Sequence, residues 1–477
     1  MTNRFLPRRQ FIKAVGAAGL STCFSSSLAA AGKRKTAIVL GAGIAGLSAA
    51  FELQRAGFQV TVLERGDQAG GRAKVIRKGP LTVASIASAV FGANSEMFDL
   101  ARQLGIEEQM RGPEISIPVE NGRGTYRIGM RFLPEEIAAI PGLSEGTRAQ
   151  LPRLQEDLQE IAKNVDPCLI GTGAAYDTES VWDYYVRRVG KQAAQEIVDY
   201  WVAPIYVSAW GTPVEEGSCI TMLGWFARQD AKFMVPSGGL ALFSKTLATR
   251  LDVQLNTVVR CVSAPDRTGR RTVHYLTPAG TTAQITPDVV VCALPGKYVH
   301  SVIEDLDEHY RPMFERLDFT KYASVTYVLR DEFAPSVATG ERYIPNHPDP
   351  MKRRLNSWDA TPRRGDRPPT VSISLSQTEI AAWQEMGSPL HKYAFRLLQK
   401  FYPSLKWDQV ADQVVQGGDG TPYLNVGFAK AAQSFLEHQK RSRSSLYFAG
   451  EYLGHAHVGG TCASGRTVGR LIGEHWV

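Results

Sequence analysis

A short apolar run, Thr36-Ala37-Ile38-Val39-Leu40, passes directly into Gly41-Ala42-Gly43-Ile44-Ala45-Gly46, and a helical pattern starts at Leu47-Ser48-Ala49-Ala50. The run reads as a strand buried on both faces, because it is apolar without alternation. Gly41 permits a tight turn, Gly43 lets the backbone approach a pyrophosphate, and Gly46 lets the helix lie close to the strand. The helix start at Ile44 and Ala45 offers free N–H groups and the positive end of the helix dipole to phosphate. A second strand, Gln59-Val60-Thr61-Val62-Leu63, ends in Glu64. An acid about 20 residues past the glycines is placed to bind ribose hydroxyls. Three spaced glycines alone are a weak sign. The full succession of strand, loop, helix, strand and acid predicts an α/β fold with a Rossmann-like dinucleotide-binding domain.

The segment after this strand separates a nicotinamide from a flavin dinucleotide. Glu64-Arg65-Gly66-Asp67-Gln68-Ala69-Gly70 runs on into Gly71-Arg72. Near the other end, Leu446-Tyr447-Phe448-Ala449-Gly450-Glu451 is a strand closing on an acid. After it come His457-Val458-Gly459-Gly460-Thr461 and a helical Ala463-Ser464-Gly465-Arg466. Both segments resemble the flavin motifs of the flavin monoamine oxidase and protoporphyrinogen oxidase superfamily, the GR2-type flavoproteins. The resemblance implies that Arg65, Gly71 and Arg72 follow the cofactor, with Arg72 neutralising phosphate. It implies that Gly450 and Glu451 meet the ribityl or phosphate region, and that the helix start at Gly460 and Thr461 points at the flavin ring. Val259, in the strand-like run from Leu251 to Val262, corresponds to a valine whose backbone contacts adenine. The cofactor expected is FAD. Cys462 stands at an offset that fits a covalent tether poorly, so the FAD is expected to be noncovalent.

The resemblance spans Lys35 to Ile472, specifically at the ends and loosely between. It divides the chain into a leader (1–31), an FAD-binding domain in three parts (35–95, 236–300 and 426–477), a helical substrate region (96–235) and a substrate-domain sheet (301–425). Residues 322–329 and 369–375 read as strands of that sheet. Leu154 to Ile161 and Val181 to Tyr185 read as helices. Trp201, Tyr206, Trp210, Trp225 and Phe226 read as core, some of them lining a pocket.

Tyr423 is the pocket residue expected by resemblance to face the flavin ring. The lysine that many amine oxidases place opposite flavin N5 is replaced by Ser324, with Lys321 three residues earlier as the substitute candidate. Where the family shows two glycines near the flavin face, this chain has Ala87 and Ser88. His455 and His457 flank the second motif, as loop residues or as proton carriers.

Arg8-Arg9-Gln10-Phe11, a short Gly- and Ala-rich apolar run and Ala29-Ala30-Ala31 resemble a twin-arginine export signal. An exported, periplasmic enzyme is therefore expected. The formal net charge is +7, and the chain beyond residue 31 carries 50 basic and 47 acidic residues. That balance, without a basic stripe, gives nucleic-acid binding no support. Five cysteines lie beyond the leader in no metal-binding spacing, so mostly buried thiols and no metal site are expected.

The function expected is oxidation of a small amine or amino-acid derivative by hydride transfer to flavin N5, with O2 as acceptor. Two alternatives stand beside it. One is a protoporphyrinogen-oxidase-like or desaturase-like dehydrogenase of a larger cyclic or isoprenoid substrate. The other is a non-catalytic flavin-binding protein. The expected partners are a small-molecule substrate, O2 or another electron acceptor, the export machinery and a peripheral membrane contact.

Overall fold

The computed structural model describes residues 34–476 except 80, 85–86, 88–89, 92–94, 121–124, 229–231, 334, 336–338, 344–353 and 364. The leader and Ser88 lie outside the described residues. The first unit forms where the glycine spacing places it: β1 (Thr36–Leu40), α1 (Ile44–Arg55) and β2 (Gln59–Leu63). β1 is buried from Ala37 to Leu40, which explains why it does not alternate. Gly57, at φ +90°, makes the turn from α1 into β2.

Next come α2 (Glu96–Leu104) and the strands β3 (Ser116–Glu120) and β4 (Thr125–Gly129). Helices α3 (Leu151–Asn164), α4 (Val181–Val189), α5 (Ala203–Trp210) and α6 (Cys219–Ala227) come after them. α3 buries Leu151, Leu154, Leu158 and Ile161, one stripe at helical period. α6 is buried at all nine positions, as an apolar helix inside a core is. Ser180 caps α4 by accepting the Asp183 N–H at 3.0 Å.

Among the later elements, those that frame the site are β5 (Asp252–Gln254), β6 (Val258–Val262), β7 (Val289–Cys292), α7 (Arg311–Arg316), β8 (Phe319–Leu329), β9 (Thr339–Tyr343), β10 (Arg354–Thr361), β11 (Thr370–Leu375), β12 (Val410–Pro422), α8 (Phe428–Ser442), β13 (Leu446–Phe448) and α9 (Val458–Trp476). Two sheets organise all of these strands but β6, which lies in a separate three-stranded sheet. One is fully parallel, in the order β13-β7-β1-β2-β5, so strands from three distant stretches of chain meet around β1. The other has the order β12-β8-β11-β10-β9-β3-β4, antiparallel except where β9 meets β3. Residues 96–235 are mainly helical, with one notable exception. The hairpin β3–β4 leaves the helices and extends the second sheet, through pairing with a strand some 220 residues away.

α9 closes the structure onto α1. A Cβ at Gly465 would lie 2.2 Å from the Ala45 carbonyl oxygen, and one at Gly469 would lie 2.8 Å from that of Ala49. Small residues on both helices thus allow near backbone contact. Between these glycines Arg466, 1% exposed, reaches Glu52 of α1 and Glu96 and Asp99 of α2, each at 2.7 Å. Four cysteines are buried and Cys261 is partly so; all five are free thiols, as the sequence predicts.

Candidate active site

The site is assembled where β1, β2 and β13 end. The turn after β1 carries Gly41 at φ +99°, and Gly70 and Gly71 carry φ +122° and +55°. These values exclude an ordinary side chain without strain. Gly70 donates its N–H to the Ala42 carbonyl at 2.8 Å, which ties the second glycine loop to the first. A Cβ at Gly71 would come 3.3 Å from Gly43 Cα, whereas one at Gly43 would meet nothing within 4 Å. Gly43 therefore opens onto space at the start of α1. No side chain caps that helix, and Ile44, Ala45 and Gly46 are buried in its first turn.

Glu64 sits beside this loop. Its Oε2 accepts the Ala42 N–H at 2.8 Å and its Oε1 accepts the Gly66 N–H at 2.7 Å. A carboxylate has about four acceptor positions, so capacity remains for hydroxyls. Glu64 is also bonded through its backbone to Gln254 and Thr257, which brings the start of β6 to the site. Val259, on β6, is half-buried and opposite Tyr275. Arg65 is exposed, its guanidinium 5.6 Å from the ring centre of Tyr298.

Arg72 links the three parts of the site. It forms an ion pair with Glu451 and donates to the Gly420 carbonyl near the end of β12. Burial lowers its guanidinium to about 10. Glu451 is 7% exposed, and its Oε1 has no hydrogen-bond partner among the described residues. Gly450 donates its N–H to Ser464 Oγ at 3.0 Å, joining the end of β13 to α9.

At the start of α9 the structure supplies what the sequence does not show. His457 is a helix cap. Its Nδ1 accepts the Gly460 N–H at 3.1 Å, its carbonyl accepts the Thr461 N–H at 2.9 Å, and Nε2 lies 2.9 Å from the Pro167 carbonyl. Those contacts place the ring proton on Nε2. His455 Nε2 lies 2.8 Å from the Thr221 carbonyl, and its buried Nδ1 has no partner among the described residues. Burial pushes the His455 imidazole down to about 4 and that of His457 to about 3. Burial thus holds both rings toward the neutral form, and both nitrogens of His457 are engaged in hydrogen bonds.

The two imidazoles abut Trp210 and Trp225, at ring separations of 5.4 Å for His455–Trp210 and 5.4 Å for His457–Trp225. Trp210 Nε1 donates to the Ala456 carbonyl at 3.2 Å, and Thr421 Oγ1 donates to the Trp210 carbonyl at 2.7 Å. An aromatic wall thus runs from α5 and α6 to Thr421, next to the Gly420 that holds Arg72. Trp201 and Phe226 stack at 4.3 Å. The aromatics and the two histidines are visible in the sequence; the contacts that join them are not, because His455 meets Thr221 across 234 residues.

Tyr423 is half-buried two residues past Thr421, and its N–H donates to the Asp318 carbonyl at 2.9 Å. Burial raises its phenol. Lys321 is not brought into this cluster. It is exposed, with Nζ 3.0 Å from Asp419, which also pairs with Lys297. Ser324 is buried on β8, bonded to the Tyr322 hydroxyl at 2.7 Å. Ala87 donates its N–H to the Arg72 carbonyl at 3.0 Å, which sets it beside the second glycine loop.

These residues fit FAD. Open space adjoins Gly43 and Glu64 keeps acceptor capacity; among the described residues no side chain caps the first turn of α1 and none pairs with Oε1 of Glu451. Fold and site together define a dinucleotide-binding flavoprotein. Residues 44–472 match the model of the flavin containing amine oxidoreductase family. The chain belongs to that family and is an FAD-dependent oxidoreductase. It is similar to an L-amino-acid oxidase of Protobothrops flavoviridis, 23% identical over 92% of this chain and 88% of that one. Over 37% of its length it is 29% identical to a protoporphyrinogen oxidase of Arabidopsis thaliana, of which the match covers 32%. A putrescine oxidase double mutant has the same fold, with a TM-score of 0.65 at 17% identity over 92% of this chain and 99% of that one.

Proposed function

We propose that the enzyme oxidises a small amine or amino-acid derivative at a carbon bearing nitrogen, with O2 as the electron acceptor. The observation that carries this reading is the wall of Trp210 and Trp225 packed against His455 and His457, whose imidazoles burial holds toward the neutral form. FAD, held in this site, would supply the hydride acceptor for the substrate C–H bond. The chain's residues do the rest. The Gly41–Gly46 loop and the start of α1 hold the pyrophosphate, and Glu64 holds ribose hydroxyls. Arg72 and Glu451 supply a charge pair beside the cofactor. Trp210, Trp225 and the histidines packed against them exclude water. A desolvated amine loses its proton more readily, and the neutral amine is the form that gives up hydride. Tyr423 lies at the edge of this region as a positioning candidate.

A second reading, dehydrogenation of a larger conjugated ring or isoprenoid, is supported by the same wall; the similarity to an L-amino-acid oxidase over 92% of the chain, against 37% for the protoporphyrinogen oxidase, favours the first. Anaerobic titration of the purified holoenzyme against amines, amino acids and conjugated cyclic compounds separates the two. Bleaching of the flavin band by an amine, with peroxide formed on readmitting air, is expected. Bleaching only by conjugated cyclic compounds would transfer the assignment to the second reading, and a flavin that none of them bleaches would sink both.

We also propose export by the twin-arginine route, because Arg8-Arg9-Gln10-Phe11 precedes a mild apolar run and small residues at 29–31. Changing Arg8 and Arg9 together to lysine is expected to leave the precursor in the cytoplasm. Undiminished recovery from the periplasm would refute this.

A further inference from the structure

A cluster of ligand-type side chains lies in contacts separate from those of the flavin site. Asp307 and His309 stand in the turn before α7, and His438 stands on α8. One ligand atom from each can be chosen so that all three lie within 4.8 Å of one another. Asp307 uses both oxygens: Oδ1 lies 2.9 Å from His309 Nδ1, and Oδ2 lies 3.0 Å from His438 Nε2. The two imidazole rings are stacked, 4.1 Å apart and 6° from parallel. We propose that Asp307, His309 and His438 form a binding site for a borderline divalent transition ion, with Zn2+ as its representative.

The donor set decides the class of ion. Two imidazole nitrogens and one carboxylate oxygen suit Zn2+ and its Irving–Williams neighbours, whereas Ca2+ and Mg2+ take oxygen ligands. Ligand distances of about 2.0–2.2 Å are needed around Zn2+, with water filling the fourth position of a three-ligand site. In the bound site each ring gives the ion a nitrogen lone pair in place of its contact with Asp307. Because an imidazole binds an ion in its own plane and these rings are nearly parallel, they must rotate out of the stack to aim both nitrogens at one ion.

The backbone beneath these ligands is already fixed, which limits the ordering that binding requires. The Asp307 carbonyl accepts the Tyr310 N–H at 3.0 Å, and its Oδ1 accepts the His309 N–H at 2.9 Å. Arg271, largely buried, donates to the Glu304 carbonyl at 3.0 Å and holds the turn from the other side. Tyr310 is buried against Phe435 of α8 at 4.4 Å and packs edge-on to His438 at 5.0 Å. The ion would therefore staple the turn before α7 onto α8, 131 residues later in the chain.

The test is calorimetric titration of Zn2+ into the tag-free, flavin-loaded enzyme, freed of metal beforehand. The wild type is expected to bind one equivalent at micromolar affinity and to melt at a higher temperature with Zn2+ than without. His438→Gln and Asp307→Asn are each expected to weaken binding at least tenfold and to abolish the thermal shift. His309→Ala, at an exposed position, repeats the test should His438→Gln fold poorly. The flavin spectrum without metal reports that each variant is intact. Absence of binding to the wild type at 100 µM Zn2+, or wild-type affinity in any intact variant, would overturn the proposal.

Discussion

Replacing Arg466 with methionine is expected to destabilise the enzyme by about 3–5 kcal/mol, the usual consequence of removing one partner from a buried ion pair. The guanidinium is almost fully buried and satisfies three carboxylates, Glu52, Glu96 and Asp99, each at 2.7 Å. Glu52 is itself 6% exposed, so its charge would lose its main partner in a low-dielectric setting. Arg55 and Arg470 reach the Glu52 carboxylate at 3.4 and 3.6 Å from half-exposed positions, which places the loss toward the lower end. For a chain of this size the change corresponds to a melting temperature lower by roughly 3–5 °C. Adding Glu52→Gln should restore part of it, because a neutral amide costs less to bury than an unpaired carboxylate.

The pH dependence carries a sign. The hydrogen bond from Arg466 is the largest cause holding the Asp99 carboxyl below its ordinary range. A carboxyl lowered in the folded state contributes stability above its unfolded pKa and loses it as pH falls through the folded value. The gap between wild type and Arg466→Met should therefore narrow as pH drops below the ordinary aspartate range. Parallel melting profiles, or a gap under 1 °C at neutral pH, would show that the network is neutral to stability.

Arg466 also shows what the sequence holds and what it hides. Its place in the second flavin motif is readable, because that motif is local. Its partners are not, since Asp99 is 367 residues away and Glu52 is 414. The same division runs through the molecule. Gly41, Gly43, Gly46 and Glu64 fall at the turn, the helix start and the strand end that the sequence assigns them, because each of those features is set within a few residues. The strands β8 and β11 are legible from their apolar content. The hairpin β3–β4 is not assignable to its sheet, because β9, with which it pairs, gives no local sign of the register. The aromatic residues around Trp210 can be recognised as buried. That His455 joins them to the flavin end of α9, and that His457 serves as a cap for Gly460, depends on carbonyls at Thr221 and Pro167 brought close only by the fold. Lys321 shows the converse: position in the chain suggests the pocket, yet Asp419 holds it at the surface.

Gly43→Val and Gly46→Ala should fail in different ways, and the contrast tests the cofactor site more sharply than either loss alone. Gly43 has φ −72° and ψ 175°, which valine adopts without strain, and its Cβ direction meets no atom within 4 Å. The variant should fold. The space its side chain enters is where the backbone would approach the pyrophosphate, so FAD occupancy should fall from about one per chain to below a tenth. A hundredfold loss of affinity is about 2.7 kcal/mol. The stabilisation that bound FAD gives the wild type should vanish with it, so added FAD should raise the wild-type melting temperature and leave that of the variant unchanged. Gly46 is different. A Cβ there would lie 2.0 Å from the Gly41 carbonyl oxygen and 3.2 Å from Ala293 Cβ, contacts that only a backbone shift can relieve. Gly46→Ala should therefore lose α1 packing against the sheet and yield little soluble protein. Circular dichroism and the visible spectrum of purified variants read both outcomes, and acid precipitation of the wild type should release all of its flavin if the cofactor is noncovalent. A folded Gly43→Val that retains stoichiometric FAD would mean that the pyrophosphate does not pass this glycine, and the site would have to be redrawn around Arg72 and Glu451.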